Sequence, residues 1–355
     1  MCRFWSPVVH QLTPHTPGEQ PRSPGILKLN TNENPYPPSP TVHRALSEAI
    51  ADSLRLYPDP DSSELKLALA ASVGLTAQHV FVGNGSDEVL AHTFHGLMSH
   101  GKPLLMPDVS YGFYPAYCRL YGVPFKLIPL ADNLTLRVDD YLTAVRQPYG
   151  GVLIANPNAP TGRLIQLSEI ERLVEGCRES VVVIDEAYID FGGDSAVSLV
   201  PRFENLLVVQ TFSKARSLAG LRVGYAFGHP TLVEGLERVK SSFNSYPLDR
   251  IAQAGAAAAL ADVEYFHRTR DAVVRSRESL SLALESLGFE VQPSMANFVF
   301  VRHPRKSAQQ LMSTLRSDGI LVRHFNSPRT AEFIRITVGT PEQCARLIDS
   351  LIGRP

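Results

Sequence analysis

The feature that most constrains the fold is a run of branched apolar residues that ends in a carboxylate. Val181, Val182, Val183 and Ile184 are followed directly by Asp185. Such a run favours a strand that is buried on both faces, as in a parallel sheet that helices cover on both sides. A carboxylate at the end of a buried strand is costly unless it is paired. Two interpretations of Asp185 stay open, a structural ion pair or a contact with a bound cation.

Five other apolar segments repeat this strand pattern, and helical patterns lie between them. They are centred near residues 80, 104, 152, 207 and 223. This alternation predicts an α/β fold, a doubly wound sheet with helices between its strands. The polar groups singled out below, from Gly83 to Lys214, follow such strands. Because ligands of open α/β sheets bind beyond the carboxyl ends of the strands, we expect a site there.

A glycine-rich turn follows the strand near residue 80. It reads Gly83-Asn84-Gly85-Ser86-Asp87-Glu88 and leads into a predicted helix over 89–98. Free backbone N–H groups at a helix N-terminus form an anion site. The turn is neither a Walker loop nor a GxGxxG motif. Ser86 and Asp87 are therefore candidate anion ligands, or simply helix-capping residues.

A lysine lies where the strand near residue 207 gives way to an irregular turn, in Thr211-Phe212-Ser213-Lys214. A lysine amine can form a Schiff base with an aldehyde, and it attacks best when burial or a neighbouring cation lowers its pKa. The nearby Arg216 and Arg222, with the hydroxyls of Thr211 and Ser213, suit a phosphate beside the amine. The alternative is an ordinary surface lysine in a loop.

The rhythm changes after residue 250. A helical region over about 251–287 precedes short strands at 289–291, 297–301 and 320–322, and helices at 307–317 and 341–351 flank them. This grouping predicts a second, α+β domain. Arg335 alternates with Ile334 and Ile336 along a strand, so it points to the opposite face. Two interpretations stay open: Arg335 binds a carboxylate or a phosphate, or it is an outward-facing charge on a half-solvated strand.

Composition excludes several classes of function. The chain has 355 residues, 34 basic and 35 acidic side chains and a net charge of −1, so it lacks the basic surface that nucleic acids require. No segment reaches about 18 apolar residues, and residues 1–12 do not resemble a signal peptide. The four cysteines show no metal-binding spacing, so we expect reduced thiols, no metal and a cytoplasmic location.

Together these motifs resemble those of fold-type I, pyridoxal phosphate-dependent aminotransferases of class II, and within them the histidinol-phosphate aminotransferase family. The resemblance covers nearly the whole chain. Its motifs are Leu29-Asn30-Thr31-Asn32-Glu33-Asn34-Pro35-Tyr36, Tyr57-Pro58-Asp59, the turn over 83–88, Asn156 to Gly162, Asp185-Glu186-Ala187-Tyr188, Ser213-Lys214 with the segment 218–222, and Ile334-Arg335-Ile336. It implies an N-terminal arm over 1–40, a large domain over 41–245 with a mostly parallel seven-stranded sheet, and a small α+β domain over 246–355.

The resemblance also implies roles for individual residues. Lys214 would bind pyridoxal 5′-phosphate covalently and move a proton between substrate and cofactor. Asp185 would pair with the ring nitrogen, so that the ring acts as an electron sink. Tyr188, with Asn158, would contact the ring hydroxyl, and Tyr111 would stack on the ring. The residues expected around the cofactor phosphate are Ser86, Asp87, Thr211, Ser213, Arg222 and, from the partner subunit of a homodimer with shared active sites, Tyr57.

The residues that the resemblance assigns to the substrate are Arg323, Arg335, Asn34 and His15. The chain departs from the family twice: Ala159 precedes Pro160 where Asn is usual, and His15 replaces a Tyr that binds substrate phosphate. The implied reaction converts L-histidinol phosphate and 2-oxoglutarate into imidazole acetol phosphate and glutamate, a step of histidine biosynthesis. Alternatives are an aromatic aminotransferase, a decarboxylase of a phosphorylated amino acid, and a catalytically silent binding protein. The two X–Pro bonds over 156–160 make a rigid turn, and the sequence leaves open whether one of them is cis.

Overall fold

The protein is represented by a computed structural model that describes residues 3–14, 16–21 and 25–352. The helices are α1 (Pro7–Gln11), α2 (Pro40–Ala49), α3 (Ser63–Ser72), α4 (Gly85–Leu97), α5 (Tyr114–Tyr121), α6 (Val138–Ala144), α7 (Leu167–Gly176), α8 (Pro230–Phe243), α9 (Arg250–Ala261), α10 (Val263–Ser286), α11 (Ala308–Ser317) and α12 (Pro341–Ile352). The strands are β1 (Leu27–Lys28), β2 (Val80–Asn84), β3 (Leu104–Pro107), β4 (Phe125–Ile128), β5 (Gly151–Ala155), β6 (Val182–Asp185), β7 (Leu206–Thr211), β8 (Val223–Gly228), β9 (Glu290–Gln292), β10 (Phe298–Arg302), β11 (Ile320–Leu321), β12 (Arg323–His324) and β13 (Ile334–Thr337). Across these ranges, none of the helices combines the length and apolar character that a membrane span needs.

The large sheet has seven strands in the order β2-β8-β7-β6-β5-β3-β4. β8 runs antiparallel to both of its neighbours, and the remaining pairs are parallel. This confirms the predicted α/β fold with a mostly parallel seven-stranded sheet. The connections after β3 and β5 leave in opposite directions across the sheet, so a crevice opens between them.

β6 shows why a run of branched residues lies at the centre of this sheet. Val182 and Ile184 pack into one apolar cluster, on the face that α7 covers with Leu173. Val183 packs into a second cluster, on the face that α4 covers with Phe94. Because both faces are buried, the strand has no solvent side and no polar alternation. The expected placement of this strand is confirmed.

The smaller sheet is antiparallel, in the order β12-β13-β10-β9. Its apolar face, which includes Val299 and Ile336, packs on Leu280 of α10 and Leu347 of α12. β1 of the N-terminal segment pairs in parallel with β11, where Leu27 lies opposite Ile320. The N-terminal segment is therefore attached to this part of the fold.

Several element boundaries differ from the sequence expectation. The helical region expected over 251–287 is two helices, because Asp262 interrupts it and its carboxylate caps α10 by accepting from the Tyr265 N–H. α2 ends at Ala49, and a short 3₁₀ turn, Asp52–Arg55, follows it. The sequence does not predict β4, because β4 is an edge strand with three exposed residues and therefore has no run of buried apolar residues.

α9 packs on the core of the large sheet. Its residues Ala252 and Ala256 share an apolar cluster with Val42 and Leu69. The predicted domain boundary near residue 245 stays a prediction.

Candidate active site

A cavity of about 560 Å³ lies at the carboxyl ends of β6 and β7 and reaches the small sheet. It brings together most of the predicted site residues. Those that line it are Ser86, Asp87, Tyr111, Asp185, Tyr188, Thr211, Ser213, Lys214, Arg222, Arg323 and Arg335. Residues distant in sequence meet here because parallel strands end at the same edge of a sheet.

One end of the cavity is a cradle of donors at the N-terminus of α4. Arg222 donates to Asp87 Oδ2 at 3.1 Å and to Ser213 Oγ at 3.4 Å, and Thr211 Oγ1 lies 3.0 Å from Ser213 Oγ. Arg222 holds a left-handed backbone, with φ of 54°. Gly85 packs so closely on this guanidinium that a side chain would collide with it. Helix N–H groups, hydroxyls and a guanidinium together form a site for a phosphate-like anion.

Asp185 lies at the end of β6 and is 6% exposed. Its Oδ2 accepts a hydrogen bond of 2.7 Å from Tyr114, and its Oδ1 accepts one of 3.2 Å from the Ala187 N–H. Burial raises the pKa of this carboxyl to about 6. Of the two sequence interpretations, an ion pair within the protein finds no support, because none of the described salt bridges includes Asp185. A cation placed in the cavity would stabilise the ionised carboxylate.

Lys214 projects its amine toward the N-terminal strap, the segment Asn30–Asn34. Its Nζ donates to the carbonyl oxygen of Thr31 at 3.0 Å and lies 5.7 Å from the centre of the Tyr188 ring. The predicted position at the end of a strand is confirmed, since β7 ends at Thr211. The amine thus lies inside the cavity and not on a solvated loop surface.

Aromatic side chains form part of the cavity wall. Tyr111 Oη donates to Asp87 Oδ1 at 3.3 Å, and its ring meets that of Tyr114 edge-on at 5.4 Å. Tyr188 Oη accepts from Asn32 Nδ2 at 2.9 Å. Burial is the main cause that raises the pKa of Tyr111, so its phenol stays protonated. Aromatic side chains in a cavity wall suit a flat ring as ligand.

The small sheet contributes two arginines at the other end of the cavity. Arg335 donates to the carbonyl oxygen of Asn30 at 3.1 Å, and Arg323 donates to that of Thr16 at 3.2 Å. Ile334 and Ile336 lie in the core while Arg335 lines the cavity, as the alternation predicted. Two guanidiniums in one pocket favour an anionic substrate group.

Some predicted site residues lie outside the cavity lining. Asn34 donates instead to the carbonyl oxygens of Lys214 and Ala215, at 3.2 and 3.1 Å. Asn158 donates to Val109 O and Thr161 Oγ1, each at 3.0 Å, and accepts from Ser110.

Tyr57 and the departures from the family complete this comparison. Tyr57 is 77% exposed and stacks on Tyr246. His15 lies outside the described residues. Ala159 lines the cavity, and the Asn156–Pro157 and Ala159–Pro160 bonds are both cis. The roles expected for Asn34, Asn158, Tyr57 and His15 stay predictions.

Sequence reasoning missed three contributors to the site. Tyr114 holds Asp185, Thr31 binds the lysine amine through its main chain, and Phe325 lines the cavity beside the arginines. The aromatic cluster over 111–114 was a signal for Tyr114. No residue-type signal exists for a main-chain carbonyl, so Thr31 could not have been found.

Comparisons with known proteins agree with this site. The family model described as aminotransferase class I and II matches residues 24–351. The chain is 58% identical over 351 residues to a histidinol-phosphate aminotransferase of Aromatoleum aromaticum, and the alignment covers 99% of each chain. It is 59% identical over 351 residues to histidinol-phosphate aminotransferase 1 of Pseudomonas aeruginosa, again over 99% of each.

A solved structure gives the same picture. The histidinol-phosphate aminotransferase of Sinorhizobium meliloti, in complex with pyridoxal 5′-phosphate, superposes with a TM-score of 0.89 at 25% identity, over 99% of this chain and 97% of that one. The lysine-and-aspartate cavity, the matched family model and the near-complete coverage of these relatives agree. This chain belongs to the class I and II aminotransferase family.

Proposed function

We propose that the chain is a pyridoxal phosphate-dependent aminotransferase that converts L-histidinol phosphate and 2-oxoglutarate into imidazole acetol phosphate and glutamate, in histidine biosynthesis. The observation that carries the proposal is the single cavity that holds Lys214, Asp185, the phosphate cradle and the arginine pair. The names of relatives at 58% and 59% identity support the same reaction.

The residues present fit the cofactor. The cradle of Ser86, Thr211, Ser213 and Arg222 suits its phosphate. Because the Asp87 carboxylate is already paired with Arg222, this residue would offer the anion its main-chain N–H and not its side chain. Asp185, with a pKa raised to about 6 by burial, would be ionised most readily beside a cationic ring nitrogen. Pyridoxal phosphate supplies an aldehyde for the amine and an electron sink for the bond that breaks.

Lys214 is the group that moves the proton. Its amine lies in the cavity, with Thr31 O as a hydrogen-bond acceptor 3.0 Å away. As a free amine it would act as the general base at the substrate carbon. Tyr111 and Tyr188 orient the ring, and the buried Tyr114 keeps Asp185 in place through its 2.7 Å hydrogen bond. Tyr188, through Asn32, also ties the ring site to the N-terminal strap.

Substrate recognition is assigned to the arginine pair. Arg323 and Arg335 would bind the phosphate of histidinol phosphate, or a carboxylate when 2-oxoglutarate is bound. The aromatic aminotransferase and the phospho-amino-acid decarboxylase are not favoured. The relatives that match 99% of this chain at 58% and 59% identity are both named histidinol-phosphate aminotransferases. A silent binding protein is not favoured either, because Lys214 and Asp185 are both present.

We also propose a homodimer with shared sites, located in the cytoplasm. Tyr57 and Tyr246 form an exposed aromatic pair outside the cavity of their own chain, which suits contact with a partner's cofactor phosphate. The described cysteines are buried free thiols, as expected in a reducing compartment. Mixing inactive Lys214→Ala and Tyr57→Ala dimers should restore activity through hybrids with one intact site, whereas separate sites would leave the mixture inactive.

The direct test is a steady-state assay of amino donors with 2-oxoglutarate as acceptor. We expect efficient transfer from histidinol phosphate, much slower transfer from phenylalanine, and no turnover by Lys214→Ala. Transfer only from phenylalanine or tyrosine would reject the proposed substrate. Release of carbon dioxide from a phosphorylated amino acid would instead indicate the decarboxylase.

A further inference from the structure

The two arginines of the cavity lie directly opposite each other in the small sheet. In the antiparallel pairing of β12 and β13, Arg323 is the register partner of Arg335. Directly opposed residues have Cβ atoms about 5 Å apart, and like charges in that position destabilise a sheet. Burial and the charge of Arg323 both lower the pKa of Arg335. The fold therefore keeps two cations together against their repulsion.

Aromatic rings surround this pair. The centre of the Phe325 ring lies 5.8 Å from Arg323 Cζ and 5.4 Å from Arg335 Cζ. The ring centre of Phe298, on β10, lies 5.2 Å from Arg335 Cζ. A ring face attracts a guanidinium within about 6 Å of its centre. Of these rings, Phe325 is the one within this distance of both cations, and it also lines the cavity.

Phe325 is held by apolar contacts behind the site. It packs against a cluster that includes Phe300, Leu130 and Val109, and its ring meets that of Phe300 at 6.3 Å. Its position is therefore set from the side away from the cavity. Within the described part of the chain, each guanidinium donates one hydrogen bond to a main-chain carbonyl, Arg323 to that of Thr16 and Arg335 to that of Asn30.

Donors of the pair remain available for a ligand. Among the residues that the structure describes, the buried Nε of Arg335 has no hydrogen-bond partner. A buried donor without a partner is costly, so a bound anion would satisfy it. Two cations held side by side match a group with two negative charges better than a group with one.

We propose that Phe325 determines specificity in this site: its ring holds the guanidiniums of Arg323 and Arg335 side by side, so that the pocket selects a phosphate monoester over a carboxylate. Without the ring the two cations separate and the advantage of the second negative charge falls. The proposal rests on the proposed function for the identity of the substrate, but the selectivity itself is a property of these three side chains.

The test uses the holoenzyme, because an empty cofactor cradle would itself bind phosphate. Calorimetric titrations at pH 8 compare methyl phosphate, which carries about two charges, with acetate, which carries one. We expect the wild type to prefer methyl phosphate. Phe325→Leu should weaken the binding of methyl phosphate by about ten-fold and the binding of acetate by less than about two-fold. Phe325→Trp, which keeps an aromatic face, should retain the preference.

Phe333→Leu is the matched control. Phe333 belongs to the same apolar cluster and stacks on Phe300 at 4.5 Å, but it does not line the cavity. Its loss should lower the Tm without changing the selectivity. If Phe325→Leu does not fold, Phe325→Met replaces it as a less disruptive removal of the aromatic face.

The proposal is overturned if the wild type shows no preference for methyl phosphate or if Phe325→Leu retains that preference. It is also overturned if Phe325→Leu weakens the binding of methyl phosphate and of acetate equally. Failure of the proposed function would look different. The wild type could transfer amino groups only from phenylalanine while the Phe325→Leu variant loses the preference for methyl phosphate. That result would refute the proposed reaction and support the role of Phe325.

Discussion

The side-chain amide of Asn34 donates hydrogen bonds to the carbonyl oxygens of Lys214 and Ala215, at 3.2 and 3.1 Å. Its Oδ1 accepts from the Tyr36 N–H, which fixes the amide within its own turn. Thr31, three residues earlier, accepts from the lysine amine. The strap therefore holds Lys214 at its carbonyl oxygen through Asn34 and at its amine through Thr31.

Removing the Asn34 amide should loosen the lysine turn. In Asn34→Ala the two carbonyls lose their donor, at a cost of about 1–3 kcal/mol. We expect a lower Tm and a kcat that falls by about ten- to hundred-fold, because a displacement of about 1 Å at the reacting group has an effect of that size. Differential scanning fluorimetry and steady-state kinetics measure the two effects.

Asn205→Ala is the control for this prediction. Asn205 also donates its amide to main-chain carbonyls, those of Val174, Cys177 and Ser180, but at a distance from the cavity. It should lower the Tm and leave kcat unchanged. An Asn34→Ala enzyme with a wild-type kcat would contradict the positioning role.

Arg222 should control cofactor affinity through geometry as well as charge. Its guanidinium contacts both Asp87 and Ser213, and a lysine amine cannot reproduce that fork. Arg222→Lys should weaken binding of pyridoxal phosphate to the apoenzyme by about ten- to hundred-fold. Fluorescence titration measures this constant. Arg238→Lys, at an exposed arginine paired with Glu234, should bind the cofactor like the wild type; an equal loss in both variants would refute the prediction.

Glu186 should make stability depend on pH. It is buried, does not line the cavity and accepts hydrogen bonds from Ser195, the Ala196 N–H and Gln210. Burial raises its pKa from 4.5 to about 7. Since the folded state holds this proton more tightly than the unfolded state, the free energy of unfolding falls as pH rises from about 4.5 through about 7.

The Glu186→Gln variant removes that titration. Its Tm should fall less than the wild-type Tm between pH 5 and pH 7, whatever its absolute stability. Glu48→Gln makes the same change in charge at an exposed position, and we expect the wild-type slope there. Parallel Tm curves for Glu186→Gln and the wild type would show that Glu186 does not contribute to this dependence.

Residue types predicted the large sheet and most of the cavity. Val182 to Ile184 could only suit a doubly covered strand, and a carboxylate at its end had to meet a partner. The same logic located Lys214 and the turn over 83–88. These predictions succeeded because the parallel strands end at the same edge of the sheet, so polar groups that follow different strands come together there.

The N-terminal strap shows what residue types alone do not reveal. Asn32 lines the cavity, while Asn34 turns to the lysine main chain. Asn32 has a left-handed backbone, with φ of 58°. Asn adopts this conformation more easily than most residues, but the sequence does not reveal which Asn does so. The assignment of side chains to the cavity therefore required coordinates.

The central claim is that Lys214 is the amine that binds pyridoxal phosphate, and borohydride trapping tests it most directly. Sodium borohydride makes the bond between cofactor and lysine permanent, and mass spectrometry of a digest then locates the added mass. We predict that the label is found on the peptide that contains Lys214 and is absent from Lys214→Ala. A label on another lysine, or no label on the wild-type protein incubated with the cofactor, would contradict the account.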